Sequence, residues 1–155
     1  MNQPDLIDPL LRRLPLFAWL SAESIAWFAH YAETHDLAQG DVLFPQGSPG
    51  DSLYVIVSGE ITFISGQSED TDEQSASTLE EGETFGELSL LETRPRLAMA
   101  RAALPSRLLQ IKSTLFREFA QKNQDQHAIL FTNLARDLAR KIRSLNAKKS
   151  SLHPA

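Results

Sequence analysis

Residues 82 to 98 read Gly82-Glu83-Thr84-Phe85-Gly86-Glu87-Leu88-Ser89-Leu90-Leu91-Glu92-Thr93-Arg94-Pro95-Arg96-Leu97-Ala98, a stretch whose residue types and order suggest binding chemistry. Gly86 permits close approach of backbone to a ligand, and Glu87 and a short apolar turn follow at once. If Gly86 opens a one-turn helix, the N–H groups of Leu88 and Ser89 lie at its unsatisfied N-terminus, where anions bind. Pro95 leads Arg96 into a β run, from which a guanidinium fork can reach the same anion. Glu87 would repel a phosphate set against it, yet it can accept hydrogen bonds from a sugar hydroxyl next to that phosphate. The chemistry implied is that of a ribose phosphate. A lone Glu and Arg at this separation would ordinarily be a surface ion pair worth about 0–1 kcal/mol. The local order of Gly, acid, apolar turn, Pro, Arg, small residue and strand argues against that reading.

Catalytic machinery is not visible elsewhere. The four histidines, His30, His35, His127 and His153, form no His-x-His or His-x-x-x-His pattern, and cysteine is absent. His30 and His35 fall around a predicted helix end, His127 on a helix and His153 in a tail, so each reads as a surface or capping residue rather than a metal ligand. No Gly-x-Ser-x-Gly nucleophile turn or Walker phosphate loop occurs. The chain is therefore expected not to be an enzyme, with no metal site, no catalytic residue and no resident cofactor.

A chain of 155 residues with 42% hydrophobic and 23% charged residues has the make-up of an ordinary single globular domain with a helical appendage. Fifteen basic against 20 acidic side chains give a net charge of −5, which repels polyanions and makes DNA an unexpected partner. With no cysteine, disulfides and thiolate chemistry are excluded, which fits a reducing cytoplasm. Arg12 and Arg13 before the apolar stretch Leu14 to Leu20 imitate a signal peptide poorly. That stretch contains Pro15, follows Asp5 and Asp8, and runs into Ser21-Ala22-Glu23, which reads better as a helix N-cap. No apolar run approaches the roughly 18 residues of a membrane span, so no membrane association is expected.

Residues 1–34 read as helical, with Ile25, Phe28, Ala29 and Ala32 on one buried face and Trp27 and Tyr31 beside it. After His35 the texture changes. Six of the seven glycines fall between Gly40 and Gly82, separating the β-rich runs Asp41 to Phe44, Leu53 to Val57 and Ile61 to Ser65. Ser58-Gly59 reads as a tight hairpin turn and Pro49-Gly50-Asp51 as another turn. Residues 66–83 hold seven acids and no base and read as a long solvated loop. Strand patterns return at Leu97 to Ala102 and Arg107 to Ile111, with Pro105-Ser106 between them. The expected fold is mainly β with flanking α-helices: a β barrel or jelly roll over 35–112, helices before it, C-terminal helices over 113–147 and a tail over 148–155.

Ser113 is placed to cap a short helix and Asn123 or Asp125 a longer one. In the longer helix Phe131, Ala135, Leu138, Ile142 and Leu145 recur at alternating spacings of 4 and 3, the seam of two helices lying side by side. The seam spans only two heptads, so it serves either a homodimer or packing of the helix on its own barrel. Residues 136–149 hold six bases and one acid, which also suits a helix C-terminus.

Phe85-Gly86-Glu87-Leu88-Ser89-Leu90-Leu91, three residues and then Pro95-Arg96, with Ala98 and Ala102 following, resembles the phosphate-binding cassette of cyclic nucleotide-binding domains, such as those of protein kinase A regulatory subunits and the bacterial catabolite activator. The likeness extends upstream through Leu16-Phe17-Ala18-Trp19-Leu20-Ser21 and through Gly40 to Gly59, and covers about residues 14–146. It implies an eight-stranded jelly roll with helices before and after it, holding the cyclic nucleotide between barrel and C-terminal helix. By the same resemblance Glu87 binds the ribose 2′-hydroxyl and Arg96 pairs with the cyclic phosphate. Backbone groups at Leu88, Ser89, Leu97 and Ala98 complete the cradle, with Gly86 at its start. The cassette spans 85–98.

The sequence also departs from the family. Leu97 stands where members carry a Ser or Thr hydroxyl after the phosphate Arg. Val57 stands where kinase members place an acid, which leaves the partner of Arg96 in the empty site unassigned. Lys141 and Ile142 occupy positions where the activator contacts adenine. No helix-turn-helix pattern follows the last helix. The resulting expectation is a sensor of a cyclic nucleotide, cyclic AMP before cyclic GMP, that signals through its C-terminal helix to an unidentified downstream protein, as a homodimer. The competing readings are a ligand-free dimerisation scaffold and a sensor of another cyclic nucleotide or dinucleotide.

Overall fold

The computed structural model describes residues 3–66 and 75–152. The chain divides into two compact units, one of residues 30–118 and one joining residues 1–29 to 119–155.

The first unit is built on eight strands: β1 (Glu33–Leu37), β2 (Val42–Phe44), β3 (Ser52–Ser58), β4 (Glu60–Ser65), β5 (Ser75–Glu80), β6 (Thr84–Phe85), β7 (Met99–Ala102) and β8 (Ser106–Lys112). They form two antiparallel sheets of order β1-β8-β3-β6 and β2-β7-β4-β5, the jelly-roll arrangement expected. In β3 the side chains alternate between faces: Tyr54 and Ile56 join Phe85 and Leu108 of their own sheet, and Ile61, Ala100 and Ala102 of the other, in one core. Leu53 and Val55 on the opposite face are buried as well, which explains the unbroken apolar run Leu53 to Val57. Aromatic rings fill the core, Tyr54 stacking on Phe85 at 5.1 Å and Phe63 meeting Phe85 edge-on at 4.9 Å.

Several sequence expectations change. The helical reading of 1–34 overruns: a helix ends at Tyr31 and β1 begins at Glu33, so His35 is a strand residue whose ring bonds to Gln110 across β8. Paired acids and a His in β1 look like a helix end, but the strand is pinned by five consecutive partners in β8. The reading of 66–83 as loop fails at β5, an edge strand in register with β4 from Glu60↔Glu80 to Ser65↔Ser75. Its polar residues suit a solvated edge, and Leu79 alone packs on the core. The acids between 67 and 74 lie outside the described residues. Ser58-Gly59 is not a hairpin turn: β3 and β4 belong to different sheets, and the chain crosses from one to the other there. Gly59 has φ +97°, and a Cβ on it would sit 2.6 Å from Ser106 Cα, at the point where the β7–β8 connection crosses back.

The second unit holds α1 (Gln3–Arg13), a 3-10 turn (Pro15–Phe17), most of α2 (Ala22–Tyr31), the end of α4 (Ser113–Lys122) and α5 (Gln124–Leu152). The four-residue α3 (Leu88–Leu91) belongs to the β unit. Ser21 caps α2 as expected, its Oγ accepting from the Ser24 N–H at 3.1 Å. Ile25, Phe28 and Ala29 are buried, and Phe28 packs between Phe17 and Phe119 at 5.4 and 4.7 Å. The buried face of α5 is Leu130, Asn133 and Leu134. The seam residues occupy another face, on which Ile142 is 58% and Leu145 65% exposed. A single chain does not bury that end of the seam.

Candidate functional site

Arg96 is anchored through its backbone before its side chain matters. The turn from Pro45 to Gly50 runs beside it: the Gly47 N–H donates to the Arg96 carbonyl at 2.8 Å, and the Arg96 N–H donates to the Ser48 carbonyl at 2.8 Å. Pro49 and Pro95 form the neighbouring bridge. Proline at both positions removes donors that this short pairing does not need and stiffens the approach to Arg96.

The side chain then crosses the mouth of the aromatic core. Its Cζ lies 4.4 Å from the centroid of the Phe44 ring and 5.8 Å from that of Tyr54. One terminal nitrogen, Nη2, donates to the Ser52 carbonyl at 3.1 Å. Nε is buried with no hydrogen-bond partner. Burial pulls the guanidinium below the usual arginine value, opposed by Tyr54 and Asp51. It remains a cation at any physiological pH. A buried donor left unmatched costs about 1–3 kcal/mol, so an anion that satisfies it regains that energy on binding.

Two glycines make room for this arrangement. A Cβ on Gly86 (φ +83°) would stand 2.5 Å from the Ser52 carbonyl oxygen and 2.9 Å from Arg96 Nη1. A Cβ on Gly50 would stand 2.8 Å from Ser89 Oγ and 2.9 Å from Arg96 Nε. Gly86, Ser89 and Arg96, distant in sequence from Gly50 and Ser52, are thereby gathered at one place. Glu87 is 6% exposed, a buried carboxylate at the entry to α3. Burial of a carboxylate is costly unless it is bonded, and it marks Glu87 as more than a surface acid.

The cassette differs in detail from the expectation. The N–H of Ser89 is not free: it donates to the Gly86 carbonyl at 3.1 Å, and the Leu90 N–H donates to the Glu87 main-chain carbonyl at 3.1 Å. The turn is short enough to close on itself by bonds of 3-10 type. Leu88 is exposed, Ala98 is half-buried, and Leu97 is 75% exposed, an apolar side chain held out in water. On α5, Lys141 pairs with Asp137 at 3.3 Å. Phe44, Tyr54, Ser52 and Gly50 were not singled out in the sequence as neighbours of Arg96. In place of the acid missing at Val57, Arg96 has an aromatic face and a carbonyl. The sequence signal was available only in part: Phe44 immediately precedes the Pro45–Gly50 turn, but nothing local says which distant cation it meets. Among the described residues no group of three or more His, Asp or Glu is placed to hold a metal ion. No described helix is long and apolar enough to cross a membrane.

The family model of the cyclic nucleotide-binding domain matches residues 34–123. The chain is 27% identical over 146 residues to the CRP-like cAMP-activated global transcriptional regulator of Mycobacterium tuberculosis, covering 94% of this chain and 63% of that protein. It is 35% identical over 133 residues to the cyclic AMP receptor protein of Thermus thermophilus, covering 83% of this chain and 57% of the other. It therefore spans about three fifths of the length of these curated relatives. Among solved structures, the N-terminal domain of a transcriptional regulator from Streptomyces coelicolor superposes with a TM-score of 0.74 at 30% identity, covering 85% of this chain and 94% of that domain. Sandwich topology, cassette order and an extended family match agree: the chain belongs to the cyclic nucleotide-binding domain family.

Proposed function

We propose that the chain is a regulatory binding module, not an enzyme, that takes a cyclic nucleotide, cyclic AMP in preference to cyclic GMP. The observation that carries this reading is Arg96: a cation fixed over Phe44, with Nε buried and unmatched, packed against two glycines whose lack of a side chain lets it lie there. A singly charged phosphodiester supplies the missing acceptor and the countercharge together. Glu87 is assigned to the ribose 2′-hydroxyl, and the backbone of Gly86, Leu88, Leu97 and Ala98, with the Ser89 hydroxyl beside Arg96, to the phosphate and sugar. The two relatives above, named for cyclic AMP, support the choice of base. Leu97, with no hydroxyl for a guanine, supports it further.

The output assigned to this module is a shift of α5 that a downstream protein reads, in a cytoplasmic homodimer formed through the seam from Phe131 to Leu145. Exposed Ile142 and Leu145 favour that seam. No DNA, membrane or metal partner is assigned.

Titration calorimetry of the full chain against cyclic AMP, cyclic GMP and cyclic dinucleotides tests the reading. Cyclic AMP should bind tightest, and Arg96→Ala should weaken it at least about tenfold, since stripping one partner from a buried charge contact costs about 2–5 kcal/mol. Failure of every nucleotide to bind would favour the scaffold reading. Equal or tighter cyclic GMP binding would overturn the choice of base alone.

A further inference from the structure

Trp19 is the one non-glycine residue with positive φ among the described residues, at +68°. Glycine would occupy that conformation without strain, yet the position carries the largest side chain, and the indole is 83% exposed. Burial therefore does not compensate the strain. The surroundings hold the conformation in place. The Nδ2 of Asn133, itself buried, donates to the carbonyls of Leu16 and Ala18 at 3.0 and 2.6 Å, and the Leu20 N–H closes on Phe17 at 3.3 Å. Strain over-determined by its frame and spent on presenting a side chain to solvent is a feature of binding sites.

The indole borders a shallow groove of about 400 Å³ whose other lining comes from α5: Ala128, Ile129, Thr132 and, at its end, Arg136. Arg140 and Arg143 continue from Arg136 along the same helix face at spacings of four and three. Arg140 shares Asp137 at 3.5 Å in an exposed pair, whereas Arg136 and Arg143 face no carboxylate among the described residues. The groove thus offers an apolar notch followed by a cationic row.

We propose that the Trp19 groove and the Arg136–Arg140–Arg143 row form a docking site for a partner protein segment that carries one large apolar residue next to acidic ones. Charge complementarity selects the acids, and the aromatic wall with its aliphatic floor selects the apolar anchor. A single-stranded nucleic acid fits less well. Such ligands need successive aromatic platforms, and here there is one ring, on a chain of net charge −5. The site is independent of Arg96 and Glu87 and does not require that a nucleotide bind there.

The test is selection of a displayed library of random peptides about 12 residues long on the immobilised full chain, with a (dT)₂₀ oligonucleotide measured in parallel. The expected result is enrichment of peptides joining a Leu, Phe or Trp to several acids. Their affinity should fall at least about tenfold in Trp19→Gly, which removes the anchor wall while relieving the backbone, and likewise in Arg136→Glu. The double variant R136E/R143E should instead select basic peptides. Three results would overturn the proposal: no enrichment of acidic peptides, enriched peptides that bind Trp19→Gly as well as the parent chain, or binding of the oligonucleotide in a Trp19-dependent manner without peptide binding.

Discussion

The guanidinium of Arg96 rests 4.4 Å above the ring of Phe44, although 52 positions separate the two residues in the sequence (96 − 44). Phe44 arrives on β2 and Arg96 on the segment leading to β7, and β2 and β7 are paired strands. The sheet register therefore brings the ring under the cation. A cation held on an aromatic face, with one donor unmatched, is stable enough to persist and poor enough in partners to accept an anion.

That balance predicts opposite effects of one substitution on stability and on binding. In Arg96→Met the stem and its packing on Phe44 are kept, while the buried charge and the orphaned Nε are removed. The ligand-free protein should be no less stable, and up to about 1 kcal/mol more stable, in urea unfolding. Cyclic AMP binding should drop by at least about tenfold. A variant that lost stability and kept affinity would mean that Arg96 is structural.

Glycine substitutions should separate along the same lines. In Gly50→Ala the new methyl meets side-chain atoms, Ser89 Oγ and Arg96 Nε, which can move, so the fold should survive while the ligand site is disturbed. In Gly86→Ala the methyl meets the Ser52 backbone oxygen at 2.5 Å, and the residue must keep φ +83°, so the fold itself should lose about 1–2 kcal/mol or more. Thermal unfolding and calorimetry on both variants check the contrast. Equal stability losses would contradict it.

How far the sequence disclosed this site depended on whether each relationship was local. The order Gly86-Glu87…Pro95-Arg96 is a run along the chain, and it is legible because turn, acid and cation follow one another there. Strands β3, β4 and β8 were legible because their apolar residues are dense and bounded by turn residues. Strand β5 was not, because Ser75 to Glu80 contains one large apolar residue, and its strand character comes from pairing with β4. Ser58-Gly59 announced a turn correctly, but a turn signal does not say which sheet receives the chain after it. Contacts of Arg96 with Phe44, Ser52 and Gly50 depend on register between distant segments, and no local pattern encodes them.

Tyr54 connects the site to alkaline pH. Burial raises its phenol above 10.0, and the Arg96 charge pulls it partly back. An unfolded chain releases this proton near pH 10.0 while the folded chain retains it. The contribution of Tyr54 to stability is therefore complete below that pH and is lost as pH rises through the higher folded value. Tyr54→Phe should flatten the fall in stability above that point. A bound cyclic phosphate cancels part of the Arg96 charge, so saturating cyclic AMP should move the Tyr54 titration further upward. Phenolate absorbance in a Tyr31→Phe background, where Tyr54 is the sole tyrosine, measures this directly. A downward shift on ligand binding would place the anion away from Arg96.

The apolar seam on α5 makes its own demand. Ile142 and Leu145 are more than half exposed in a single chain, whereas Leu130 and Leu134 on the neighbouring face are buried. Water-exposed Ile and Leu at heptad spacing gain most by pairing with a second copy of the same helix, at about 1.5–3 kcal/mol for each side chain fully buried. Ile142→Glu sets a charge on that seam without touching the buried face, so the fold should remain and the dimer should not. Sedimentation should report a dimer for the parent chain and a monomer for Ile142→Glu, with Arg140→Glu, on the opposite side of the helix, behaving as the parent. If α5 carries the nucleotide signal, linkage requires that breaking the dimer also change nucleotide affinity, by the roughly 5–150-fold that typical coupling energies give. A monomeric Ile142→Glu with unchanged affinity would separate the two events and assign the signal to another element. A parent chain that sediments as a monomer at all concentrations would remove the seam from the mechanism.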